Sequence, residues 1–158
     1  MRLTTFSDYA LRVLMLAAAE RPRLITIDET AALYDISRAH LMKVVHVLVK
    51  QGYLRGIRGR SGGFTLQKAP EDINLGAVLR ITEPDFTLVE CFSPENGCIL
   101  SNRCKLPNLL NEGLNAFVSV FDRHTLADLA VDPNWFSAVG SGRLRQRGPS
   151  VATAQSST

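Results

Sequence analysis

Apolar residues near the start of the chain recur with the period of a helix. Phe6, Tyr9, Ala10, Val13, Leu14 and Ala17 stand at i, i+3, i+4, i+7, i+8 and i+11, which places them on one stripe of a 3.6-residue turn. The spacing predicts a helix from Thr5 to about Glu20, closed by Pro22, whose ring cannot continue it. Asp8 and Arg12 fall four apart on another face, where an exposed ion pair contributes roughly 0.3–0.5 kcal/mol.

Thr26-Ile27-Asp28-Glu29 is a capping box: hydroxyl and carboxylate satisfy each other's free backbone N–H groups, and the acids suit the positive end of the helix. That helix is short, ending near Tyr34-Asp35. Ser37 caps a third, SRAHLMKVVHVLVKQG, with a core stripe of Leu41, Val44, Val45 and Leu48 and a stop at Gly52. Two helices joined by a tight turn form a helix-turn-helix pattern. The runs 53–58 and 64–67 are β-like and flank Gly59-Arg60-Ser61-Gly62-Gly63, a hairpin tip. A helix-turn-helix followed at once by a basic hairpin predicts a winged helix. An ordinary small α+β core has no need of Arg58 and Arg60 on a glycine turn.

Farther on, Ile73, Val78 and Leu79 predict a helix from Glu71 to Thr82, stopped by Pro84. A loop rich in Pro, Asn, Gly and Ser occupies 83–105. Leu106, Leu110, Leu114, Phe117 and Phe121 then step by 4, 4, 3 and 4, close to heptad spacing. A winged-helix core leaves little to cover that seam, so the same helix of a second copy is the expected partner. Thr125-Leu126-Ala127-Asp128 reads as the cap of a last short helix. The expected organisation is mainly α with a small β-hairpin wing. It comprises a winged helix-turn-helix DNA-binding domain over 1–82, a cysteine-bearing loop over 83–105 and a dimerisation helix with a short C-terminal helix over 106–132. The composition of 138–158 predicts a disordered tail.

At 158 residues the chain has about the length of one domain. It has neither the ~20 consecutive apolar residues of a membrane span nor the pattern of a signal peptide, so a cytoplasmic protein is expected. The net charge of +3 is uneven: +5 over 1–80, −5 over 81–137 and +3 beyond. A basic first half suits a phosphate-binding surface, although such an excess is also common on ordinary solvated faces.

Three cysteines, Cys91, Cys98 and Cys104, are the only ones in the chain, and all lie in the polar loop. Chance core cysteines would be scattered. A disulfide leaves one thiol over and is rare in the cytosol. Structural zinc sites favour closer C-x2–4-C pairs than spacers of six and five. An iron–sulfur cluster held by three thiolates and one other ligand is the favoured reading, with zinc and unrelated thiols as alternatives.

Recognition helices place their N-terminal residues against base edges. Here those are Ser37, Arg38, His40 and Lys43. Arg38 can bond a guanine O6/N7 pair, and Ser37 also serves as an N-cap. Arg58, Arg60 and Ser61 of the wing would meet the minor groove or its phosphates.

The segments RLTTFSDYALR, SRAHLMKVVHVL, RGRSGGFTL, the triple cysteine and HTLADL together resemble a family of bacterial winged-helix iron–sulfur regulators, its nitric-oxide-sensing repressors in particular. The resemblance spans about residues 1–132. It implies a homodimer on double-stranded operator DNA, an iron–sulfur cluster in each loop and nitric oxide as signal ligand. Members of the family that sense cluster supply carry a histidine three residues after the last cysteine, where this chain has Pro107. In the nitric-oxide sensors an aspartate of the partner subunit's first helix can be the fourth ligand, which implies Asp8 here, with Arg12 in support. Three thiolates and a carboxylate suit a 4Fe–4S cluster, one ligand per iron, and are compatible with 2Fe–2S. The alternatives are a regulator of iron or cluster status and, from another class, a redox or electron-transfer protein. No nucleophile–base pair or paired-carboxylate motif points to an enzyme.

Overall fold

The computed structural model describes residues 2–93, 95–100 and 103–140. Helix α1 (Thr5–Ala19) buries Ala10, Val13, Leu14 and Ala17 completely, the stripe its period predicts. Thr4 caps it, its hydroxyl accepting the Ser7 N–H at 3.2 Å. Helix α2 (Ile27–Tyr34) starts from the Thr26/Glu29 capping box and ends at Asp35, whose φ of 54° turns the chain into Ser37. Helix α3 (Arg38–Lys50) packs Leu41, Val44 and Leu48 against α1 and α2.

Strands β1 (Leu54–Ile57) and β2 (Gly63–Leu66) pair antiparallel, Leu54 opposite Leu66 and Ile57 opposite Gly63. Ile25, just before α2, bridges Phe64 and roots the hairpin in the helical core. A Cβ on Gly63 would lie 2.5 Å from the Ile25 carbonyl oxygen, so the two backbones approach through a gap that only glycine leaves.

The helix expected over 71–82 is split. Pro70–Asp72 form a 3-10 turn, and helix α4 (Leu75–Thr82) begins anew from Asn74, whose side chain accepts the Ala77 N–H. The restart lets Ile73 face the core, where it is fully buried. Helix α5 (Leu106–Asp122) follows the cysteine loop, with Pro107 near its start. It is anchored at its far end, where Arg80 Nη2 donates to Asp122 Oδ2 at 2.8 Å and Asn74 Nδ2 to the Asp122 carbonyl at 2.7 Å.

The seam along α5 differs in register from its expectation. Leu110, Leu114, Phe117 and Phe121 are half-buried, with Phe121 packed against the core. The face turned outward is Leu106, Leu109, Gly113, Ala116 and Val120, stepping by 3, 4, 3 and 4. Leu109 is 65% exposed. Spacing alone placed Leu106 correctly but could not show that α4 covers the neighbouring stripe.

Thr125 and Asp128 do form a capping box, around a 3-10 turn (Leu126–Leu129) that drives Leu126 to full burial against α1. Beyond it the chain forms a helix that the hydrophobic pattern does not predict, α6 (Pro133–Gly140). It occupies residues 138–140 of the expected tail; the remainder, 141–158, lies outside the described residues. Phe136 of α6 meets the Tyr34 ring edge-on at 6.4 Å. Among the described residues no helix is long and apolar enough to cross a membrane.

Candidate functional site

Two regions carry the candidate residues. The first is the exposed face formed by the start of α3 and the hairpin. Ser37 caps α3, its Oγ accepting the His40 N–H at 3.4 Å. Arg38, His40 and Lys43 are exposed, as the reading role requires. Arg38 is held by Asp28 at the start of α2, Nη1 to Oδ1 2.8 Å, with both side chains about 65% exposed. Such a pair is weak in water, and its partner can be exchanged for a base edge. The His40 ring lies 6.4 Å from that of Tyr9. Met42, 58% exposed, stands on the same helix surface and is missed by sequence reasoning. Its apolar character reads as core in a sequence and is recognised as surface only once the helix is docked.

Arg58, Arg60 and Ser61 are exposed on the wing. Gly59 has φ of 117°, a conformation L side chains rarely adopt, and its carbonyl accepts the Gly62 N–H at 3.0 Å. A Cβ on Gly62 would come within 2.3 Å of the Ile57 carbonyl oxygen. The glycines thus make a turn tight enough to carry two guanidinium groups at its tip. A groove lined by His46, Val49, Gly56 and Arg58 runs between α3 and the wing.

The second region is the cysteine loop with the start of α1. Cys91 sits in a 3-10 turn (Glu90–Phe92), and the Cys98 N–H is held by Asn96 Oδ1 at 2.9 Å. The Cys104 N–H bonds the Leu100 carbonyl at 2.8 Å. Cys91 and Cys104 are half-buried and Cys98 is exposed. Between them Ile99 is 97% and Leu100 58% exposed. The donor set, three soft thiols within fourteen residues, fits an iron–sulfur cluster. Among the described residues the structure does not gather three metal-ligating side chains into one site.

Asp8 is 45% exposed and forks onto Arg12, with Arg12 Nε donating at 3.0 Å and Nη2 lying 2.8 Å from the second oxygen. Tyr34 steadies the same turn: its hydroxyl donates to the Arg12 carbonyl at 3.0 Å. Burial pushes the Tyr34 phenol up to about 12, so it remains a donor. Of the two lesser candidates for the fourth ligand, His124 faces Asp128 at 3.2 Å and Glu90 precedes Cys91.

A feature invisible in the sequence joins α1 to the loop. The Thr4 N–H donates to Glu83 Oε1 at 2.8 Å. One turn on, Ser7 Oγ donates to Thr82 Oγ1 at 2.8 Å, both hydroxyls buried. Thr82 passes its own proton to the Val78 carbonyl at 3.0 Å. The turn bearing Asp8 is thereby fastened to the residues where the cysteine loop leaves α4.

Residues 3–132 match the Rrf2 family, described as an iron-dependent transcriptional regulator. Over 134 residues the chain is 51% identical to the HTH-type transcriptional regulator NsrR of Bacillus licheniformis, covering 84% of this chain and 94% of that protein. The regulator of the same name from Bacillus subtilis is 51% identical over 131 residues, 82% of this chain and 90% of that protein. Among solved structures, oxidised CymR of Staphylococcus aureus has a TM-score of 0.66 at 27% identity, over 82% of this chain and 96% of that one. IscR of T. potens has a TM-score of 0.64 at 20% identity, over 93% and 94%, a likeness of fold.

Proposed function

The chain belongs to the Rrf2 family of transcriptional regulators, and from that premise we propose that it is a cytoplasmic, nitric-oxide-responsive repressor, binding operator DNA as a homodimer under the control of an iron–sulfur cluster. The observation that carries this reading is the fastening of the Asp8 turn to the root of the cysteine loop through Thr4–Glu83 and Ser7–Thr82. It makes the ligand-bearing part of the chain and the first helix of the DNA-reading head one mechanical piece.

Cys91, Cys98 and Cys104 would hold the cluster, with the carboxylate of Asp8 from the partner subunit as the fourth ligand. When bound, the cluster supplies iron that reacts with nitric oxide, 4Fe–4S being favoured over 2Fe–2S by one ligand per iron. Asp8 has two destinations, Arg12 of its own helix or the loop of the other subunit. A carboxylate is the hard donor in a soft set and the one most readily exchanged. Arg12 receives it at 2.8 Å when it leaves the loop. The exposed Ile99 and Leu100 beside Cys98, and the outward seam of α5, give a second copy an apolar surface to cover.

Release of Asp8 would free α1, on which α3 packs. Two recognition helices must meet half-sites one helical turn or a multiple apart, so a small rotation of each head removes the match. Ser37, Arg38, His40 and Lys43 would read bases, and Arg58, Arg60 and Ser61 would hold the backbone.

The test is anaerobic purification, Mössbauer spectroscopy and a nitric oxide titration of operator binding. Loss of affinity along the titration is expected, and an unchanged affinity would defeat the assignment. Asp8→Ala should retain the cluster signature yet uncouple DNA binding from nitric oxide. A variant that still released DNA normally would remove Asp8 from the mechanism. Arg38→Ala should lose operator binding with the cluster retained, an outcome an electron-transfer role does not produce.

A further inference from the structure

The cationic charge of this chain is distributed in an unexpected way for a DNA-reading protein. Residues 1–140 contain fifteen Lys/Arg and fifteen Asp/Glu, so the body has no net charge. The whole formal excess of +3 lies in Arg143, Arg145 and Arg147, and residues 141–158 contain no acid. Several arginines of the body are also compensated where they stand: Arg12 by Asp8, Arg23 by Glu20 and Glu29, Arg38 by Asp28 and Arg80 by Asp122.

The structure fixes where this basic segment starts. Helix α6 lies beyond the residues that match the family, 3–132. It is seated on the helix-turn-helix itself: Phe136 meets Tyr34 of α2, and Phe136 and Val139 line a cavity with Leu16, Ala32 and Leu33. Tyr34 is only four residues before Arg38, a separation of at most ~14 Å along a fully extended chain. Arg147 is seven residues past Gly140, a reach of up to ~25 Å.

We propose that the segment after α6, through Arg143, Arg145 and Arg147, is a second DNA-binding element that engages backbone phosphates beside the site read by α3. Helix α6 is its mount. The segment adds affinity without adding sequence preference, because guanidinium–phosphate contacts position a protein and do not read bases. It supplies the cationic excess that a neutral body lacks, by releasing counterions from the duplex.

This inference rests on the DNA-reading proposal, and one experiment separates the two. The full chain would be compared with the triple variant R143Q/R145Q/R147Q and with the corresponding triple lysine variant. The probes are an operator duplex selected in vitro with the full chain and a scrambled duplex of equal length, each titrated across a series of salt concentrations. The glutamine variant should lose affinity for both duplexes by the same factor. Its slope of log K against log salt should fall by about 0.9 for each phosphate left unneutralised, up to ~2.7 per protomer. The lysine variant should keep the slope. If the full chain enriches no duplex, the DNA-reading proposal fails. An unchanged slope in the glutamine variant, once an operator has been obtained, overturns the arm. Tighter binding by that variant overturns it too, because the segment would then be screening the body.

Discussion

Ser7 is a hydroxyl at zero exposure in the first turns of an otherwise apolar helix face, tolerated because Thr82 Oγ1 receives its proton. Ser7→Ala removes that bond and leaves Thr82 with its carbonyl partner, so a loss of about 1 kcal/mol is expected by urea denaturation. If the bond also transmits the signal, the nitric oxide concentration that releases DNA should shift in the same variant. Tyr34 gives a prediction of opposite pH sense from that of a carboxylate. Its folded pKa, about 12, exceeds the ordinary ~10, so its contribution to stability is complete below pH 10 and is lost as pH rises through the folded value. Ultraviolet titration of the folded protein should show one tyrosine ionising last, and Tyr34→Phe should remove that step. An unaltered titration in Tyr34→Phe would move the late step to another tyrosine.

Among the elements, the wing has the least tolerance. Gly63→Ala would drive a Cβ onto the Ile25 carbonyl and pry β2 from its root, so loss of DNA affinity with the helical circular dichroism retained is the expected outcome. Helix α2 is sensitive to acid. The Thr26 backbone N–H, with Arg23 assisting, holds the Glu29 carboxyl below its usual range. The cap therefore contributes fully above the unfolded value near ~4.3 and is lost as pH falls through the lowered folded one. Glu29→Gln should flatten the acid limb of thermal stability, and an identical limb would discount the cap. These elements were legible because each rests on local chemistry: a capping box, a Ser cap, a glycine tip, a 3.6-residue stripe. What escaped the sequence depends on neighbours. Asn74 restarts α4 because Ile73 has a core to face, and the outward stripe of α5 is decided by what α4 covers. Helix α6 escaped for the same reason, since its apolar residues are few and their partner, Tyr34, is a hundred positions earlier. The individual site residues were readable from type and position. The Ser7–Thr82 bond was not, for two common hydroxyls 75 residues apart carry no pattern.

At the scale of the molecule, the α5 stripe makes association the natural state of the proposed repressor. Leu109→Asp together with Val120→Asp should give monomers in sedimentation and weaken operator binding, because one half-site alone remains; dimers persisting in that variant would place the interface elsewhere. The reading head is also not closed by the first eighty residues. Leu126, fully buried, reaches back to α1, its N–H bonds the Ile73 carbonyl at 2.8 Å, and the Leu75 N–H bonds the His124 carbonyl at 3.0 Å. The order of synthesis follows from this. A ribosome delivers the cysteine loop before it delivers the residue that seals the head, so the thiols meet the cytosol while the DNA-reading core is still ajar. Chains stalled or cleaved ahead of residue 126 would therefore carry thiols without a finished head, and quality control would meet them as unfolded protein rather than as a half-made switch.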